Sequence, residues 1–255
     1  MAIAYETNST ATHSGVVPAV TQAITITKPT GLATGDVLVV VLALNEDSQA
    51  GAALASDPTF SGFTKLSEMV AYSATAVRRG WVYYKLITDG AGEPSDYTFT
   101  VTYAVTGTGN IVTVMSRFSG VNTVTPINAN SALDGETLST TMTFNGVTTT
   151  VENTMLALCG YVRRNLTVTY NDGTKIADIG IAGTTAAAGE TATMGYLAQA
   201  GVGASGDKTG TISGGSAREN DAMIVALGPI PVGGISVPYV HLTAQRNIRH
   251  TGRFH

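Results

Sequence analysis

Apolar and polar residues alternate with period two along much of this chain. Ile24-Thr-Ile-Thr27, Tyr97-Thr-Phe-Thr-Val-Thr-Tyr103 and Leu166-Thr-Val-Thr-Tyr170 place threonine between successive apolar residues. A pleated strand sends successive side chains to opposite faces, so each segment builds one apolar and one hydroxylated face. Threonine is β-branched and favours extended backbone. Val37 to Leu44 reads differently, because all eight residues are apolar. That is the pattern of a strand covered on both faces, and it is too short to cross a bilayer. Glycine and proline break these runs every few residues. One short helix is expected over Glu46 to Ser56, with Asn45 as its cap. The remainder is predicted to be all-β.

The expected strands fall into two sets. The first covers 36–44, 62–67, 81–87, 97–103 and 110–118, and the second covers 153–161, 166–170, 192–199, 208–213 and 220–227. The last three members of each set are offset by roughly 110 residues, which suggests two quasi-repeated halves, about 20–121 and 151–228. Residues 122–150 are expected to bridge them as a loop and one strand. Asn171-Asp-Gly173 is expected as a hairpin turn, since all three residue types tolerate positive φ. The glycine- and alanine-rich 180s and 200s are expected as surface loops. The body, residues 1–228, is therefore predicted as a two-sheet, jelly-roll-like β-sandwich.

Composition separates this body from the C-terminal residues. Residues 229–255 hold none of the 18 Asp and Glu, three of the 14 Lys and Arg, and three of the four histidines, leaving residues 1–228 at −7. A break at Pro229-Ile-Pro231-Val-Gly233-Gly234 opens this segment. It is expected as an extended basic arm, hinged at 229–234, that orders on binding a neighbour. Tyr239, His241, Arg246, Arg249 and Arg253 are its candidate partner-binding residues. Three arginines on an acidic chain argue against nucleic acid as the partner. The first residues lack a basic stretch followed by an apolar one, so no secretory signal is expected and folding in a cytoplasm is.

The residues offer little chemistry. Nucleophilic catalysis needs a base beside its nucleophile, and the histidines, His13 and three in the arm, lie outside the expected core strands. Cys159 sits in an apolar run and reads as core. The carboxylate pairs Glu46/Asp47, Glu93/Asp96 and Glu219/Asp221 lie among turn residues, where carboxylates face water. No Cys/His spacing suggests zinc, and no oxygen-rich loop has calcium spacing. No enzyme activity, cofactor or metal is expected. Arg78-Arg79 and Arg163-Arg164 are expected to protect strand edges or to pair with carboxylates of a neighbouring subunit.

The phrases Gly35-Asp-Val-Leu-Val-Val40, Gly62-Phe-Thr-Lys-Leu66, Val82-Tyr-Tyr-Lys85, Gly92-Glu-Pro-Ser-Asp-Tyr-Thr-Phe-Thr100, Phe118-Ser-Gly-Val121 and Pro126-Ile127 together resemble a β-sandwich module of tailed-bacteriophage and prophage virion proteins. The resemblance spans about residues 20–130. It implies a structural or binding role without catalytic residues. The expectation is a non-enzymatic virion structural protein assembled in the host cytoplasm. Its expected role is capsid cement or decoration, as a trimer that binds its own subunits and the major capsid protein through the arm. No membrane is expected to take part. The alternative is a tail-associated receptor- or carbohydrate-binding module that would use Tyr72, Trp81, Tyr83 and Tyr161.

Overall fold

The computed structural model describes residues 2–17, 21–46, 54–72, 77–103, 107–133, 135, 137–182 and 189–231. Every regular element among them is a strand. The first half contains β1 (Ala4–Val17), β2 (Thr21–Thr27), β3 (Val37–Glu46), β4 (Leu54–Phe60), β5 (Thr64–Tyr72), β6 (Val77–Leu86), β7 (Asp96–Tyr103) and β8 (Gly107–Ser119). Next come β9 (Ile127–Asn130), β10 (Thr137–Ser139), β11 (Thr141–Phe144), β12 (Thr148–Thr149), β13 (Thr154–Arg163) and β14 (Val168–Tyr170). The last are β15 (Thr174–Ile181), β16 (Glu190–Gln199), β17 (Gly203–Ala204), β18 (Lys208–Ile212) and β19 (Arg218–Leu227).

The strands form four layers. In the first half a five-stranded sheet, β1-β8-β3-β6-β5, faces a three-stranded sheet, β2-β7-β4. In the second half β10-β19-β13-β16-β15 faces β11-β18-β14, with β9 also on β19. Reading β9 and β10 as the counterpart of β1, the two halves have the same strand order. Each order is of the jelly-roll kind, with the fifth strand moved to the edge of the larger sheet. The short pair β12-β17 belongs to the second half alone. The all-β sandwich is as expected. Its sheets number more than two because the body is two sandwiches back to back.

Three cores hold the layers together, and side-chain periodicity explains them. On β3, Val37, Val39, Val41 and Ala43 point to the middle of the molecule, while Leu38, Val40, Leu42 and Leu44 point to the outer sheet. On β13, Met155, Ala157, Cys159 and Tyr161 point to the middle, and Leu156, Leu158 and Val162 point outward. Unbroken apolar runs thus mark the two inner sheets. The alternating runs mark the outer ones: Tyr97, Phe99 and Val101 fill a core while Thr98 faces water. Burying each large aliphatic side chain contributes about 1.5–3 kcal/mol, so sheets covered on both faces gain from both sets. The inner sheets approach closely at Gly80 of β6, where an added Cβ would lie 2.4 Å from Cε1 of Tyr161 on β13.

Several local expectations are corrected. Asn45 caps no helix among the described residues, and residues 47–53 of the expected one lie outside them. Asn45 lies in β3, its Nδ2 donates to the Gly189 carbonyl at 3.3 Å, and Leu54 to Ser56 begin β4. Asn171-Asp-Gly173 joins β14 to β15, which belong to different sheets, so it is a turn between layers and not a hairpin. Asp172 anchors that turn by accepting the Thr209 amide at 3.0 Å. The described residues of 122–150 supply four short strands in place of one.

Candidate docking site at the root of the C-terminal segment

The chain leaving β19 is fastened to the turn at 120–126 before it departs. The Gly228 amide donates to Pro126 at 3.0 Å, and the Asn122 amide donates to Gly228 at 2.8 Å. Val121 and Pro229 form a β-bridge, and the Ile230 amide donates to Gly120 at 3.2 Å. Asn122 shapes the turn with its own side chain. Its Oδ1 accepts the amides of Val124 and Thr125, and its Nδ2 donates to the Thr125 hydroxyl. Such a side-chain turn needs no apolar anchor at its tip, and Val124 there is 86% exposed.

A second loop stands opposite. Asn128 holds Thr150 by both side-chain atoms, accepting its amide at 2.9 Å and donating to its hydroxyl at 2.7 Å. Asn153 takes φ 57°, a left-handed conformation asparagine tolerates, and its amide donates to Ala200. Between these loops lies a cleft of about 580 Å³, lined among others by Asn122, Asn128, Val151, Glu152, Pro229 and Ile230. Val151 is 40% and Ile230 41% exposed on its walls, and Val202, on the neighbouring loop after Ala200, is 58% exposed. Of the five large apolar side chains exposed among the described residues, only Leu138 lies away from these loops. Apolar side chains gathered at one end mark an interaction surface better than the same number scattered. Glu152 is exposed and makes no hydrogen bond or ion pair among the described residues.

Tyr239, His241, Arg246, Arg249 and Arg253 lie outside the described residues, as does the hinge from Val232 onward. Pro229 and Ile230, expected within the hinge, are held by the body. The cleft was not legible in the sequence, because its residues come from four separated segments. Only the cluster of asparagines at 122, 128 and 153 hinted at shaped loops.

Of the groups considered for chemistry, Asp47 and the Glu46 side chain lie outside the described residues, and the others hold local structure. Glu93 accepts from Lys85 Nζ at 2.5 Å and from the Tyr97 hydroxyl at 3.0 Å. Asp96 accepts the Ser95 hydroxyl at 2.6 Å. Cys159 is fully buried, and burial pushes its thiol far up. No cluster of three metal-ligating side chains occurs among the described residues. Trp81, Tyr83 and Tyr161 are core residues, and the side chain of Tyr72 lies outside the described set.

Arg78, Arg79 and Arg163 do not guard edges. β6 and β13 are interior strands. Arg163 Nη1 lies 2.8 Å and Arg78 Nη2 3.8 Å from the same Glu219 oxygen, joining the two inner sheets within one chain. Arg79 faces Asp57 at 3.7 Å. Burial disfavours the Glu219 anion, but its backbone hydrogen bond and the charges of Arg163 and Arg78 win, holding its carboxyl below the ordinary value.

No family model, no curated protein and no solved structure matches this chain.

Proposed function

We propose that this chain is a non-enzymatic structural protein of a bacteriophage virion, a capsid cement or decoration protein. Its body supplies a stiff four-layer block, and its C-terminal segment binds the shell or neighbouring subunits, with the protein itself as a trimer. One observation carries the reading. The basic segment starts from a root fastened in the wall of a cleft, at the end of the body where exposed aliphatic side chains collect. A chain that acts by docking needs such a rigid root, because the segment then loses less freedom on binding. Among the described residues, Glu93, Asp96, Glu219, Asp221 and the Cys159 thiol are meanwhile engaged in ion pairs, hydrogen bonds or core packing. The carbohydrate-binding alternative is weakened, since Trp81, Tyr83 and Tyr161 are buried and cannot stack on a sugar.

The test is quantitative mass spectrometry of purified particles, with the full chain and with a chain lacking Gly234–His255. Copies in the hundreds per particle are expected. Deletion is expected to preserve the β-type circular dichroism spectrum and to abolish incorporation. A handful of copies, or a deleted chain that incorporates as well as the full one, would overturn the proposal.

A further inference from the structure

We infer that the cleft between the 120–126 turn and the 150–153 loop is a socket for residues 232–255 of a second copy of this chain. The inference rests on the arm-docking reading above and names the arm's receptor.

Reach permits it. Ile235 lies four and Leu242 eleven residues beyond Pro231, and an extended chain advances about 3.3 Å per residue, so this stretch reaches at most roughly 36 Å from the root. A body of this size has a radius of gyration of only about 17 Å. The stretch therefore reaches the cleft of a second body whose socket end adjoins its own.

Reversal at the root disfavours return to its own socket. An arm folding straight back would pair with Pro229, Ile230 and Pro231. The two prolines have no amide hydrogen, and the Ile230 amide is already given to Gly120. The root thus offers a returning strand no donor. A second copy's root is equally without donors, so an arm entering there lies against the 122–128 and 150–153 walls, which it approaches without reversing direction.

Chemistry matches arm to socket. The arm opens with Ile235-Ser-Val237-Pro-Tyr239-Val-His241-Leu242, an apolar stretch suited to Val151 and Ile230 on the cleft walls. It continues with Arg246, Arg249 and Arg253 and contains no acid. Glu152 stands on the socket wall with no partner among the described residues. Passed from each copy to the next, such an arm closes a ring.

The full-length protein with Val151 replaced by the photo-crosslinker benzoylphenylalanine tests this. After illumination, a denaturing gel separates links between copies from links within one, and peptide mass spectrometry maps them. The expected result is covalent dimers or trimers linked from position 151 to residues 235–255. Glu152→Lys, on an exposed side chain, is expected to cut their yield several-fold at low salt. A product of monomer mass carrying the 151-to-arm link would show the arm on its own body and overturn the inference. Links that avoid the arm, or that join position 151 to a different virion protein in assembled particles, would also overturn it. In those cases the decoration reading survives if the arm-deleted chain still fails to incorporate; if that chain incorporates, the decoration reading fails whatever the cross-links show.

Discussion

Gly80→Ala places a methyl group between the two sandwiches. The added Cβ would lie 2.4 Å from Cε1 and 2.7 Å from Cδ1 of Tyr161, where ordinary contact begins at 3.4 Å. The ring must give by about 1 Å, yet Tyr161 is fully packed in the central core and tyrosine is rigid beyond its two side-chain torsions. Overpacking of this kind costs about 1–3 kcal/mol. Replacing a strand glycine returns about 0.5–1 kcal/mol of backbone entropy. The net expectation is a loss of about 1–2 kcal/mol. Tyr161→Ala alone removes a large buried side chain and should cost about 3–5 kcal/mol. In that background the alanine at position 80 meets no ring and partly fills the cavity, so adding it should be neutral or slightly stabilising. The two changes should therefore couple by about 2 kcal/mol. Urea unfolding of the four proteins at one protein concentration, followed by circular dichroism, gives the coupling by linear extrapolation. Residues 80 and 161 belong to different halves of the chain. Additivity within about 0.5 kcal/mol would refute the back-to-back packing of the inner sheets at this point.

Three further outcomes are expected. Glu219 has a folded-state pKa below its ordinary 4.5, so its contribution to stability is complete above that value and is lost as pH falls through the folded one. The stability difference between the natural protein and Glu219→Gln should be flat near neutrality and shrink in acid, and a difference unchanged between about pH 3 and 7 would contradict the pairing with Arg163 and Arg78. Cys159, buried with its thiol pushed up, should resist a thiol reagent at pH 8 in the folded protein and react fully in denaturant; fast reaction before unfolding would show the central core to be open. Gly120 has φ +72°, and a Cβ there would meet the Ala2 carbonyl oxygen at 2.4 Å; Gly120→Ala should lower stability by about 2 kcal/mol or more in thermal melts, and an unchanged melt would mean the 120–126 turn does not hold the root as described.

The candidate site was hardly legible in the chain. Its arm stood out by charge and by Pro229, Pro231 and the glycines after them. The socket did not, because Asn128, Glu152 and Ile230 share no local pattern and meet only through β9, β13 and β19. Some strands were missed for a related reason. β1 is largely polar and pairs along β8 at a sheet edge, so its stability comes from backbone pairing with little apolar signal. β15, at the opposite edge of the other large sheet, carries the half-buried residues typical of an edge. The arginine pairs were misread because adjacency in sequence does not show which sheet will cover a side chain.

By itself the sequence determined that this protein is all-β, because alternation and unbroken apolar runs leave the backbone few other ways to bury them. It also determined that Val37–Leu44 must be covered on both faces and that Cys159 lies in core; the double coverage of β13 appeared only in the structure. It did not determine what would cover them. Only the tertiary structure decided that each of those strands lies between its own half's outer sheet and the other half's inner sheet. Local periodicity records how many faces of a strand are apolar, whereas the choice of covering partner depends on shape over long separations, such as Gly80 against Tyr161.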